Sequence, residues 1–254
     1  MKQKLLWAGL LPALLLASAC KSHYKLAGIS RSRILVDSRY DAAPDARATA
    51  FLQPYKRQVD SIMSPVVGSV ARYMAAARPE SELSNLLADI LVWGGRAYGE
   101  QPVMGVYNMG GIRAAFAKGQ VTNGDVIDVA PFENKICFLT LQGDRLLQLF
   151  REMAAMGGEG VSHGVELVIT ADGKLKSARL NGRPIDPAAS YRIATLDYLA
   201  QGNDKLEAFK QATQVVSPQD QQNNVRFIIM DYFREQTKAG KIVDSQKEGR
   251  IKVE

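Results

Sequence analysis

An asparagine, two glycines and an arginine stand close together in "GVYNMGGIRAAF", residues 105–116. Asn108 carries a donor and an acceptor in one amide, and Arg113 a planar guanidinium fork suited to phosphate, carboxylate or ribose oxygens. Gly110 and Gly111 follow an apolar run ending in Val106 and Tyr107. Lacking Cβ atoms, they permit positive φ and let a ligand lie against the backbone. The same residues also read as a tight turn with a surface arginine. Two later stretches extend the pattern. "VAPFENK" puts Phe132 directly after Pro131 in a loop, and "TLDYLAQGNDKLEAF" puts Tyr198 on a strand end, six residues before Asp204 in a Gly-Asn-Asp turn. Two aromatic faces can sandwich a flat ring, with roughly 1–3 kcal/mol of stacking per base. An aspartate accepts from paired ribose hydroxyls. Each residue also has an ordinary alternative, the aromatics as core and the aspartate as a turn former.

Other chemistries are excluded by residue type. The chain has two histidines, His23 and His163, neither at ligand spacing to another His or Cys, which argues against a zinc site. No serine sits in a nucleophile-elbow context. Gly111 and Ile112 stand where a phosphate-cradling loop needs Lys and Ser or Thr. The net charge is +6 over 254 residues. Basic residues are mixed with acids and form no run, which excludes a nucleic acid polymer as the main partner.

The elements that position these residues begin after a leader. "MKQKLLWAGLLPALLLASAC" has Lys2 and Lys4 ahead of an apolar stretch over residues 5–16, then small residues before Cys20. The stretch is too short to span a bilayer. The pattern at residues 16–20 resembles a bacterial lipobox, in which the cysteine is lipidated; an ordinary secretory peptide cut after Ala19 is the alternative. Several acyl chains, each buried methylene adding ~0.8 kcal/mol, would hold an exported lipoprotein on a membrane surface, periplasmic or cell-surface. Removal of residues 1–19 leaves 235 residues and a net charge of +4. Cys137 then remains alone in the strand-like "KICFLTL", as a small buried hydrophobe.

Residues 20–44 read as a polar tether with one short strand candidate at 34–37. The spacing of Phe51, Tyr55, Val59 and Ile62 predicts a connector helix over 45–64, ended at Ser64-Pro65. Residues 65–254 form the domain. Strands are expected in "VVGSVARYM", at 103–107, in "KICFLTLQG" and in "YRIATLDYL". Helices are expected at about 83–98 with Ser81 as N-cap, from Gly143 to the Gly157-Gly158 stop, and at 222–236. "TNGDVIDVAPF" reads as a loop. Asp172-Gly173 and Asn181-Gly182 mark hairpin turns, and "EGRIKVE" a last strand. Interspersed helices and hairpins favour an α+β fold.

The order of "YNMGGIRAAFAKGQVTNGDVIDVAPFENKICFLTLQGDRLLQLF", "YRIATLDYLAQGNDKLEAF" and "EGRI" resembles the C-terminal, substrate-specificity domain of 5′-nucleotidases. "PESELSNLLADIL" is similar to the helix that opens that domain, and the likeness covers roughly residues 40–254. The resemblance implies a four-layer α/β/β/α sandwich preceded by a connector helix, binding the nucleoside part of a nucleotide. It places Phe132 and Tyr198 on the two sides of the base, Asn108 on the base edge, Arg113 near ribose and phosphate, Asp204 on the ribose hydroxyls, and Gly110 and Gly111 on the pocket floor. Two positions depart from the pattern. Pro79, with Arg78 beside it, stands where the family often has an arginine, which makes Arg78 a further substrate-binding candidate. "GNDK" replaces the usual Gly-Gly-Asp-Gly turn, so Asn203 and Lys205 reshape the ribose end.

In the family an N-terminal domain holds two divalent metals of the zinc or manganese type, which activate water. These residues contain no counterpart, so the expectation is no cofactor and no catalytic residue in this chain alone. Hydrolysis would need a separate metallophosphatase partner. The alternative is a surface lipoprotein that binds nucleosides or nucleotides without catalysis.

Overall fold

The computed structural model describes residues 24–254; the leader, His23 and the lipidation candidate Cys20 lie outside the described residues. The chain divides into two units, Met1–Phe51 and Leu52–Glu254. In the first unit, residues 24–36 have no regular structure and are exposed. The strand expected at 34–37 does not form. Asp37 instead caps a single 3-10 turn, Ser38–Tyr40, its Oδ1 accepting from the backbone N–H of Arg39 at 3.1 Å and from Nε of Arg39 at 2.8 Å. A short extended segment has no stability without a pairing neighbour.

Helix α1 (Ala46–Met63) starts in the first unit and continues into the second. Asp45 Oδ1 accepts from the N–H groups of Arg47 and Ala48 at 2.8 and 2.9 Å, which satisfies two donors of the opening turn. The helix stops just before Ser64-Pro65, as the proline predicts. No residue of α1 is buried, and Val59 and Ile62 of its apolar stripe are more than half exposed.

After α1 the second unit runs β1 (Val66–Val70), α2 (Glu82–Gly94), β2 (Met104–Tyr107), β3 (Gly119–Thr122), α3 (Asn123–Val129), β4 (Ile136–Gln142), α4 (Gly143–Ala155), β5 (Gly160–Val161), β6 (Val165–Ile169), β7 (Leu175–Leu180), β8 (Arg183–Pro184), β9 (Ser190–Leu196), α5 (Asp197–Ala200), β10 (Thr213–Val216), α6 (Val225–Lys238) and β11 (Ile251–Val253). This is the expected α+β arrangement. The central mixed sheet has the order β10-β4-β9-β2-β5. The second sheet has the order β11-β6-β7-β8, and β1 pairs with β3 in a separate ribbon. The predicted hairpin turns join β6 to β7 and β7 to β8. Asn181 and Gly182 have φ of 51° and 73°, the left-handed pair that matches strand twist in a two-residue turn.

Six successive residues of β4, from Ile136 to Leu141, are buried, so the central sheet is covered on both faces. Ile136 packs toward Gly94, and the Phe138 ring lies 5.4 Å from that of Tyr98 just beyond α2. By strand alternation Cys137, Leu139 and Leu141 point the other way, where α4 packs on β4 and β9. Helix α4 buries Leu146, Leu149, Phe150 and Met153 at helical spacing and also packs on β7. Helix α2, capped by Ser81 as predicted, lies on β2 so closely that a Cβ on Gly105 would come within 2.4 Å of the Ala88 carbonyl oxygen. Glycine is required there by space.

A second expectation is corrected. The "TNGDVID" stretch is no loop: Thr122 and Asp125 form a reciprocal capping box that opens α3, which buries Val126 and Val129. The Asn-Gly pair suggested a turn, but the cap spacing and the two valines prevail.

The register of three strands positions the site. Strands β2 and β9 run parallel, with Met104 opposite Ile193 and Gly105 opposite Ala194, so the segments after Tyr107 and after Leu196 leave the same edge. Strand β4 runs antiparallel to β9, with Ile136 opposite Leu196, so the segment before β4 arrives at that edge too. Behind the turn after β2 lies Glu159, which is 2% exposed. Its carboxylate accepts from the Met109 backbone N–H and is paired with Arg78. Burial pushes its carboxyl above the ordinary value of 4.5, against the pull of Met109 and Arg78.

Glu159→Ala leaves the Met109 N–H without an acceptor and is expected to lower unfolding free energy by roughly 1–3 kcal/mol in denaturant titrations. Glu159→Gln keeps a carbonyl acceptor and is expected to cost less. The folded state binds the Glu159 proton more tightly than the unfolded chain does. Its contribution to stability is therefore full below about pH 4.5 and falls as pH rises through the higher folded value; the Gln variant should lack that decline.

Candidate functional site

Three loops at that sheet edge enclose a cavity of about 190 Å³, lined by Asn108, Gly110, Gly111, Phe132, Asn134, Tyr198 and Asp204. Six of these seven were expected from the sequence; Asn134 was not. It stands two residues after Phe132 in "PFENK", where a polar loop residue beside a projecting aromatic was the available signal.

The loop after β2 makes one 3-10 turn, Met109–Gly111, with Asn108 as its cap. Neither glycine adopts positive φ, so the conformational argument made for them from sequence is replaced by a spatial one. A Cβ on Gly111 would lie 2.6 Å from Asn108 Oδ1, which forces glycine there. A Cβ on Gly110 would meet only Asp204 and Asn108 atoms at 3.7 and 3.9 Å, so Gly110 keeps cavity space open.

Phe132 is 49% exposed, and its loop is held from behind. The Arg226 guanidinium donates to the Pro131 carbonyl at 2.8 Å, and the Val225 N–H donates to the Asn134 carbonyl at 2.9 Å. The Lys135 N–H donates to Asp197 Oδ1 at 3.0 Å, which ties this loop to the next. Tyr198 lies two residues past the end of β9, in the helical turn α5, rather than on the strand. Asp197 Oδ1 accepts its backbone N–H at 2.8 Å and so starts that turn at once.

Asp204 sits with φ of 53°, in the left-handed region that aspartate enters more readily than most residues. Its carboxylate is held from two sides: Tyr198 Oη donates to Oδ1 at 2.8 Å, and Asn108 Nδ2 donates to Oδ2 at 2.6 Å. The Asp204 contact keeps the Tyr198 hydroxyl above the usual phenol range, hence protonated and donating at neutral pH. Asn108 is 4% exposed, and its Oδ1 is a buried acceptor with no donor among the described residues. Such an atom costs roughly 1–3 kcal/mol until a donor reaches it.

Two sequence candidates fall outside the cavity lining. Arg113 is exposed, with Nη1 donating to the Gly110 carbonyl at 3.3 Å, so it flanks the turn. Arg78 is turned away: its Nε donates to the Gly158 carbonyl at 2.9 Å and Nη2 is paired with Glu159. A buried carboxylate thus engages one end of this guanidinium. Glu159, missed from sequence, was marked by an acid between glycines in "GGEG" beside an apolar run. Among the described residues no group of three or more His, Cys, Asp or Glu is placed to hold a metal ion.

The family described as "5′-nucleotidase, C-terminal domain" matches residues 65–211, more than half of the chain. Protein UshA of Yersinia enterocolitica is 27% identical over 172 residues, covering 65% of this chain and 30% of that protein. Cell wall protein Lmo0130 of Listeria monocytogenes is 23% identical over 232 residues, covering 82% of this chain and 29% of that protein. The solved structure of the 5′-nucleotidase precursor from Thermus thermophilus aligns with a TM-score of 0.71 at 27% identity, covering 84% of this chain and 44% of its own. The chain thus spans less than half the length of each of these relatives. With its sheet-edge cavity and a match from β1 to the end of the site loops, the chain belongs to the 5′-nucleotidase C-terminal domain family.

Proposed function

We propose that this domain binds the nucleoside part of a nucleotide and presents the phosphoester for hydrolysis by a metal-bearing domain supplied from outside these residues. One observation carries the reading: Phe132 and Tyr198 line a single cavity together with the amide of Asn108 and the carboxylate of Asp204. The aromatic faces suit a flat base. The cavity of about 190 Å³ is smaller than the roughly 300–1,000 Å³ of many ligand sites. It suits one ring system with the sugar at its mouth and the phosphate outward, beside Arg113.

The residues described here do not fit the divalent metal pair, and no hydrolytic step is assigned to them. Leu52, Val59 and Ile62, each more than half exposed on α1, offer apolar surface for a metallophosphatase partner. Export and lipid anchoring at Cys20 belong to the same proposal; they rest on the leader's residue pattern, with the named cell wall relative in support.

Calorimetric titration of the protein with adenosine, AMP and a UDP-sugar tests the binding claim. At least one should bind, and Phe132→Ala should weaken that binding by roughly 1–3 kcal/mol, about five- to 150-fold. Binding of none, or unchanged affinity in the variant, would refute the assignment. For the anchor, detergent-phase partitioning of the exported protein should be lost in Cys20→Ser. A parent protein that stays in the aqueous phase would rule the anchor out.

A further inference from the structure

The Asp204 carboxylate accepts one hydrogen bond on each oxygen, from Tyr198 Oη at 2.8 Å and from Asn108 Nδ2 at 2.6 Å. An ionised carboxylate has about four acceptor positions, so one stays open on each oxygen. Two open positions side by side match two neighbouring donors. A single tie, from Asn108 alone, would leave the carboxylate free to swing about that contact. The second tie, from Tyr198, fixes its plane. The turn is further closed onto the same residue, with Asn203 Nδ2 donating to the Tyr198 carbonyl at 2.8 Å. Lys205, also left-handed at φ of 60°, points the chain onward from this clamp.

We infer that the Tyr198 hydroxyl is a positioning group that orients Asp204 to read a vicinal diol, so that this one residue both walls the cavity with its ring and selects ribonucleosides with its hydroxyl. The inference rests on the nucleoside reading above and adds the source of its sugar selectivity. Removal of the hydroxyl leaves the ring in place, and the tyrosine is 37% exposed, so Tyr198→Phe leaves no buried group without a partner.

The test is calorimetric titration of the full protein with adenosine and with 2′,3′-dideoxyadenosine. The parent protein should prefer adenosine. Tyr198→Phe should weaken adenosine by about five- to tenfold, the effect of one charge-assisted hydrogen bond, and dideoxyadenosine by less than about twofold. A role only in folding or stacking would weaken both ligands equally and overturn the inference, as would an unchanged affinity for adenosine. A double-mutant cycle with Asp204→Asn gives a second readout from adenosine alone: the double variant should lose no more than Asp204→Asn does. Additive losses would overturn the coupling while leaving the nucleoside reading intact, whereas failure of the parent protein to bind either ligand would remove both.

Discussion

The site depends on the pairing of three strand ends. Parallel β2 and β9 send their carboxyl-terminal segments off one edge of the central sheet, and antiparallel β4 begins at that edge. Residues more than 90 positions apart, Asn108 and Asp204, are thereby brought to hydrogen-bonding distance. Register is strict, because β4 is buried on both faces and a slip by one residue would exchange the groups meeting α2 with those meeting α4. The loops need not find one another by their own attraction, because the sheet delivers them.

What remains for the loops is to hold their polar groups in place. Asp197 joins the segment before β4 to the turn after β9 through its bonds to Lys135 and Tyr198. Glu159 performs the equivalent service for the turn after β2, at the expense of burying a carboxylate that Arg78 partly neutralises. The cavity is assembled in the protein alone, with the Asp204 carboxylate already oriented and the rings of Phe132 and Tyr198 bordering the same space. A preassembled site binds without a further ordering cost.

Much of this was legible in the residue pattern. Period-two strands, helical apolar stripes, Asn-Gly and Asp-Gly turns and the Ser81 cap are local signals, and each appears where local physics puts it. The failures are of two kinds. At 34–37 a local pattern found no partner strand, and at 123–129 a capping box outweighed turn-forming residues. The other failures concern side-chain destinations. Arg78 was a candidate because it adjoins the position where the family often has an arginine, but only the fold shows a buried glutamate beside it. Asn134 and Glu159 carried only weak local signals, a polar residue beside a projecting aromatic and an acid among glycines, and take their roles from where the fold places them. Six of the seven cavity residues were named in advance, their types suggesting base and ribose contacts with ordinary alternatives left open and the family resemblance deciding among them.

The proposed function is a division of labour in keeping with the family membership. On that proposal this domain recognises a flat ring and its sugar, while among the described residues no group of three or more His, Cys, Asp or Glu is placed to hold a metal ion. The most direct measurement is a crystal structure of the protein with AMP. The account predicts the adenine ring between Phe132 and Tyr198, the ribose hydroxyls on Asp204 and the phosphate on the Arg113 side. AMP seated away from this cavity, or absent from it at saturating concentration, would contradict the account.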